Sequence, residues 1–326
     1  MQNSINRRKA WKHAFRLVFG RGRRVLPDIS SKGGDRMRSI RNAGGMPPLM
    51  TQRPLTLFKG GNRLNLLVIG DIVGNPGRKV VKELLPKLRK DYLVDMVIAN
   101  GENAAGGFGI TYTVAQELYS YGVDVITMGN HVWSKKEIMS FIDEDTRIVR
   151  PANFPDQLPG RGSTIIELFN HKVGVINLIG RVFMDPADSP FNSALKEIEK
   201  IKDEADIIIV DFHAEATSEK LAMGWFLDGK VNVVFGTHTH IQTADERILP
   251  KGTGYITDLG MTGPYNSILG VEKDIIVKKF VTQVPEKFEI AKGEAQLNGV
   301  VFEIDDKSRN VVSIKRIFEL KKLKEA

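Results

Sequence analysis

The chain has 326 residues, 42% of them hydrophobic and 26% charged, an ordinary globular composition with enough length for one large domain or two. No run approaches the ~18 consecutive apolar residues of a membrane span, and the absence of cysteine excludes disulfides and thiolate metal sites. The net charge of +8 is unevenly spread: residues 1–62 hold 14 Lys and Arg against only Asp28 and Asp35, so the remainder is slightly acidic.

Residues 1–62, with Arg21-Gly22-Arg23-Arg24, Gly33-Gly34 and Pro47-Pro48, show no sustained periodicity. They are predicted to be a disordered basic extension upstream of the functional protein. An Arg-rich, acid-poor start could also contact RNA or address an organelle. From Leu64 the pattern becomes regular. Leu66 to Ile69 reads as a strand ending in Gly70-Asp71, and Val80, Val81, Leu84, Leu85 and Leu88 fall at helical spacing. Met96 to Ala99 is the next strand and opens into Asn100-Gly101-Glu102-Asn103. A helix through Ala115 and Leu118 stops at Gly122, and Val123 to Met128 leads into Gly129-Asn130-His131. Such alternation implies crossover units and a largely parallel core sheet.

Past Pro151 the segments Thr164–Leu168 and Lys172–Leu178 read as a hairpin, and Leu195, Ile198 and Ile201 mark a helix. Asp206 to His213 is a buried strand, and a short helix near Lys220 to Phe226 precedes the apolar run Val231 to Phe235. That run ends in Gly236-Thr237-His238-Thr239-His240, where extended chain would point both imidazoles the same way. Asp274–Val281, Gly299–Ile304 and Val311–Phe318 read as antiparallel strands. The predicted fold is one α/β domain over residues 64–326, two mixed sheets packed face to face with helices outside.

The polar clusters follow strand ends, where ligands bind in α/β sheets. They supply Asp71, Glu102, Asn103, Asn130, His131, His213, His238 and His240, including four of the six histidines. Carboxylates, amides and imidazoles suit Mn, Fe or Zn in an N/O site. Two-metal hydrolysis of a phosphate ester needs a bridging carboxylate, terminal imidazoles and a separate general acid. Gly106-Gly107-Phe108-Gly109 could also cradle phosphate through backbone N–H groups.

The blocks Gly70-Asp71, Gly101 to Gly107, Gly129-Asn130-His131, Asp211-Phe212-His213-Ala214-Glu215 and Gly236 to His240 resemble the YmdB-like family of bacterial calcineurin-like metallophosphoesterases. The resemblance covers residues 64–326. Broader calcineurin-like enzymes carry Asp-x-His at the first motif and Asp at the second, where this chain has Asp71-Ile72-Val73 and Glu102. It implies a calcineurin-like sandwich, two iron or manganese ions, and hydrolysis of 2′,3′- or 3′,5′-cyclic nucleotides. By the same resemblance Asp71, Asn103 and His240 would bind one metal, and Asn130, His213 and His238 the other. Glu102 would bridge them, and His131 would be the general acid. Gly260 to Tyr265 resembles a family loop near the site, and Arg181 could touch substrate. The expected setting is cytoplasmic with no membrane partner, and a homo-oligomer stays open. Two alternatives remain: a phosphomonoesterase or RNA phosphodiesterase with the same site, and a regulatory RNA- or partner-binding protein with a vestigial one.

Overall fold

The computed structural model describes residues 63–168 and 171–323, so the expectation for residues 1–62 lies outside the described residues. Each apolar run from Leu64 onward that ends in a polar cluster forms a strand. The first sheet's early strands are β1 (Arg63–Ile69), the two-residue β2 (Asp71–Ile72), β3 (Met96–Asn100), β4 (Val125–Thr127) and β5 (Ile148–Val149). Helices α1 (Gly74–Asp91) and α2 (Tyr112–Tyr121) provide the crossovers. Thr111 starts α2 by accepting from Val114 N–H, and Gly122 ends it at φ 106°, a left-handed conformation that glycine takes without strain.

The hairpin follows as β6 (Ser163–Leu168) and β7 (His171–Ile179), then α3 (Pro190–Ile201), β8 (Ile207–His213), α4 (Thr217–Leu227) and β9 (Val233–Thr237). The chain continues through β10 (Arg247–Ile248), β11 (Gly254–Ile256), β12 (Met261–Pro264), α5 (Lys273–Thr282), β13 (Glu294–Asp305) and β14 (Val311–Lys322). One sheet runs β2-β12-β13-β1-β3-β4-β5, with β14 on β13; the other runs β10-β11-β9-β8-β7-β6. Strands β1, β3, β4 and β5 are mutually parallel, as are β7, β8, β9 and β11. The predicted pair of mixed sheets is therefore present, and among the described residues no helix is long and apolar enough to cross a membrane.

Period-two alternation divides each strand between two environments. Leu66, Val68, Met96 and Ile98 from the first sheet meet Val175, Ile209, Val233 and Phe235 from the second in the central core. The opposite faces pack under helices: Val97 and Ala99 with Leu85 and Leu118 on one side, Val210 and Phe212 with Met223 and Leu227 on the other. Counting on by twos along the inner face reaches Asn100, Thr127, Asp211, His213 and Thr237. All five are fully buried. The same parity that builds the apolar core thus changes to polar residues at the carboxyl ends of the strands.

One expected strand is a helix. Asp274–Val281 is β-branched and apolar, yet it lies in α5, where Ile276 and Lys279 face inward and Val277, Phe280 and Val281 stay exposed. The strands next to it in the chain offer it no edge, since β12 lies between β2 and β13, and β13 is flanked by β12, β1 and β14, so the segment satisfies its backbone locally as a helix.

Candidate metal centre

His213 sits at the last inner-face position of β8. Its Nδ1–H donates to Thr237 Oγ1 at 2.9 Å, and the Thr237 hydroxyl donates to Asp211 Oδ1 at 2.7 Å. A carboxylate can only accept, so this relay directs the threonine proton to Asp211 and fixes the histidine proton on Nδ1. His213 Nε2 then points into the cluster, 3.0 Å from Asn130 Oδ1 and 3.2 Å from Glu102 Oε1. Asp211 also accepts from Asn100 Nδ2 at 3.4 Å and from the Thr127 hydroxyl, tying both sheets together beneath the site.

The same logic orients the other two histidines. His240 Nδ1–H donates to the Leu269 carbonyl at 3.2 Å, which leaves Nε2 facing Asn103 Nδ2 at 3.3 Å. His238 Nδ1 lies 3.0 Å from His213 Nε2, while its Nε2 faces Glu215. The paired histidines do not lie in extended chain as expected: His238 has φ 100° and His240 φ 64°. Left-handed backbone at a non-glycine residue costs about 1–3 kcal/mol and persists only where surroundings enforce it. The turn still brings both rings to one cluster.

Asp71 follows β1 and is completely buried. Its Oδ2 accepts from His238 N–H at 3.2 Å, and its Oδ1 lies 3.9 Å from both His213 Nδ1 and His240 Nε2. That Oδ1 has no hydrogen-bond partner among the described residues. Glu102 is almost as deep, accepting from Asn103 Nδ2 at 3.2 Å through Oε1 and from His131 N–H at 2.9 Å through Oε2. Gly129 is indispensable here: a Cβ would come within 2.4 Å of Glu102 Oε2 and of His213 Nε2. All eight predicted site residues are thus brought together. Glu102, His213 and His238 place donor atoms within 4.8 Å of one another. Asn130 and His131 are only half-buried and mark the open side, with the His131 ring 5.0 Å from Phe108 in an edge contact.

Electrostatics support cation binding. Burial pushes the Asp71 carboxyl well above its usual range, and raises Asp211 to about 6. Burial would raise Glu102 too, but His213 and His131 override it and hold that carboxyl low. His213 is driven up to about 9 despite burial because Glu102, Asp71 and Asp211 surround it; burial and neighbouring His238 drive His240 down to about 4. Several buried carboxylates around imidazoles whose free nitrogens converge, with an orphaned carboxylate oxygen among them, fit a metal centre.

Sequence reasoning missed the groups behind these side chains. Asp211 and Glu215 lie inside a motif that carried no role for either, and Lys220 and Asp258 gave no signal. Lys220, 1% exposed, reaches Asp258 Oδ2 at 2.6 Å. The predicted phosphate cradle has Gly106, Gly107 and Gly109 at φ 71°, 96° and 73°. Within it Gly107 N–H donates to the Asn103 carbonyl at 3.1 Å, and Gly109 N–H to the Glu102 carbonyl, so both are spent inside the loop.

The model of the family described as YmdB-like protein matches residues 67–317. The chain is 52% identical over 254 residues to a Bacillus subtilis (strain 168) protein named 2′,3′-cyclic-nucleotide 2′-phosphodiesterase, covering 78% of this chain and 96% of that one. A crystal structure described as a novel phosphatase from Mycoplasma pneumoniae superposes with TM-score 0.76 at 38% identity, over 80% of this chain and 95% of the other. A Thermus thermophilus protein described as hypothetical gives TM-score 0.74 at 40% identity, over 79% and 100% respectively. The two-sheet architecture is that of the calcineurin-like metallophosphoesterases, and the chain belongs to the YmdB-like family.

Proposed function

We propose that this phosphoesterase hydrolyses cyclic nucleotide phosphodiesters, of the 2′,3′ or the 3′,5′ form, with two bound iron or manganese ions. The observation that carries the reading is the set of three histidines, each with one ring nitrogen against an outer partner and the other turned into the cluster that holds Asp71 and Glu102. The name borne by the Bacillus subtilis relative supports the substrate class.

Asp71, Asn103 and His240 would hold one ion, Asn130, His213 and His238 the other, and Glu102 would bridge. The distances group the same way. His240 Nε2 is near Asn103, while His213 Nε2 is near Asn130 and His238, and Asp71 Oδ1 stands 3.9 Å from both His240 and His213. Glu102 Oε1 stands 3.2 Å from each group, at Asn103 Nδ2 and at His213 Nε2. Such ions supply Lewis acidity toward phosphoryl oxygens and make hydroxide accessible near neutral pH. The protein supplies the rest. Buried strand ends exclude water from the floor of the site, and the half-buried Asn130–His131 side sets the direction from which a phosphodiester enters. His131, anchored through its backbone to Glu102 and through its ring to Phe108, delivers the proton to the leaving ribose oxygen.

The test is metal content together with turnover on 2′,3′-cyclic AMP, 3′,5′-cyclic AMP and bis-p-nitrophenyl phosphate, using protein loaded with Mn²⁺ or Fe²⁺. Two metals per chain and hydrolysis of a cyclic nucleotide are expected. Turnover confined to phosphomonoesters or RNA would change the substrate class. A chain without bound metal would overturn the mechanism.

A further inference from the structure

The buried ion pair beneath the paired histidines has no part in the chemistry above. Lys220 projects from α4, and its stem passes Gly236, where a Cβ would lie 2.9 Å from Lys220 Cδ and 1.9 Å from the Thr257 carbonyl oxygen. Its ammonium meets Asp258 Oδ2 at 2.6 Å. The same carboxylate oxygen accepts from Thr239 N–H at 3.2 Å and from the Thr239 hydroxyl at 2.7 Å, while Oδ1 accepts from Gly260 N–H at 2.7 Å. Thr239 is the residue between His238 and His240, the two positions with left-handed backbone.

We propose that the Lys220–Asp258 pair is a clamp that holds the His238-Thr239-His240 turn in ligating geometry by gripping Thr239. The inference rests on the proposed metal reading. Two closely spaced strained histidines cannot keep their conformation unaided, because strained backbone persists only where its surroundings over-determine it. Asp258 provides that constraint with two bonds to one residue, and a buried carboxylate gripping a turn requires a counter-charge. Lys220 supplies it. Neighbouring backbone bonds extend the brace: Leu259 N–H donates to the Gly236 carbonyl at 2.9 Å, Met261 N–H to the His240 carbonyl at 3.0 Å, and Asp71 N–H to the Gly260 carbonyl at 3.1 Å. Segment 258–261 therefore ties the histidine turn to the strand end that carries Asp71. Lys220 and Asp258 are positioning residues, acting on the ligands through Thr239.

The experiment compares the wild type with Thr239→Val, Asp258→Asn and Lys220→Met. Calorimetry gives the Mn²⁺ affinity and stoichiometry of protein stripped by chelator. Electron paramagnetic resonance reads the geometry of bound Mn²⁺, and melting is followed on stripped protein. Thr239→Val removes one hydroxyl bond, leaves the ion pair in place and touches no proposed ligand, so it decides the matter even if the charge variants do not fold. It is expected to melt like the wild type, bind Mn²⁺ roughly 10-fold more weakly and show a broadened Mn²⁺ signal, with Asp258→Asn nearer 100-fold. Unchanged Mn²⁺ affinity in Thr239→Val overturns the clamp, and so does lost melting stability with unchanged affinity. Failure of the wild type itself to bind two Mn²⁺ would instead strike the metal reading, which the stoichiometry shows separately.

Discussion

Glu215 Oε2 stands 3.3 Å from His238 Nε2, on the far side of the ring from the Nδ1 that faces His213. A carboxylate behind a metal-binding imidazole fixes the ring's orientation and increases its basicity, and losing it typically costs 10–100-fold in metal affinity. Glu215→Ala should therefore weaken one of two Mn²⁺ sites by roughly that factor while the other keeps its affinity, as two-site calorimetry would show. Equal weakening of both sites would mean that Glu215 acts on the whole cluster.

Glu102 reaches both groups of donors through one oxygen, so Glu102→Ala should lose both metals, whereas His238→Ala should lose mainly one. Elemental analysis decides it. Two metals retained in Glu102→Ala would remove the bridge from the scheme.

Gly129 contributes space to the site: its lack of a side chain lets Glu102 and His213 approach. Gly129→Ala should drive those two apart and abolish metal binding as thoroughly as removing a ligand. The protein should remain folded by circular dichroism, and normal metal content in this variant would contradict the packing argument.

His131→Ala should keep its metals and lose something like 10²–10⁴ in turnover on a ribose leaving group, the usual contribution of a general acid. A ribose alkoxide is strongly basic and needs the proton; p-nitrophenolate departs without it. The loss on bis-p-nitrophenyl phosphate should accordingly be far smaller. Equal losses on both esters would make the acid some other residue.

Stability should depend on pH through Asp258. Burial is the largest influence and pushes its carboxyl up, but Lys220 and the bonds from Thr239 and Gly260 overcome it and hold the group below the usual range. A depressed folded value means that the stabilisation is fully present above the unfolded value of about 3.9 and fades as acid passes through the lower folded one. Lys220→Met leaves that buried charge unpaired and should cost about 3–5 kcal/mol near neutrality. The gap in melting temperature between wild type and variant should shrink as pH falls through the carboxylate range and Asp258 takes up a proton. A gap that is constant with pH would assign the effect to packing alone.

Most strands, the order of motifs and the gathering of the polar residues at strand ends were legible because each rests on local pattern: a short apolar run, a tight turn, then a polar residue. What escaped was non-local. Nothing near Lys220 indicates that its partner lies 38 residues on, or that Asp211 binds residues from three other strands. The misread segment Asp274–Val281 shows the same limit from the other direction. Its composition favours a strand, but β12 and β13, its neighbours in the chain, are paired on both sides by strands from elsewhere in the sequence. The turn at His238 and His240 likewise departs from extended chain for a reason that lies at residue 258.

The pairing of β1 has a consequence for the order of events during synthesis. Its two neighbours are β3, about thirty residues downstream, and β13, which aligns Val300 with Val68. A chain emerging from the ribosome can thus form the parallel half early, with β1 exposing one flank of unpaired backbone until nearly all the rest has been made. Asp71 leaves that same strand, and its neighbours His238 and Gly260 also arrive late. The centre is therefore a product of the finished chain: a nascent protein would display open sheet edge long before it could gather the donors for a metal.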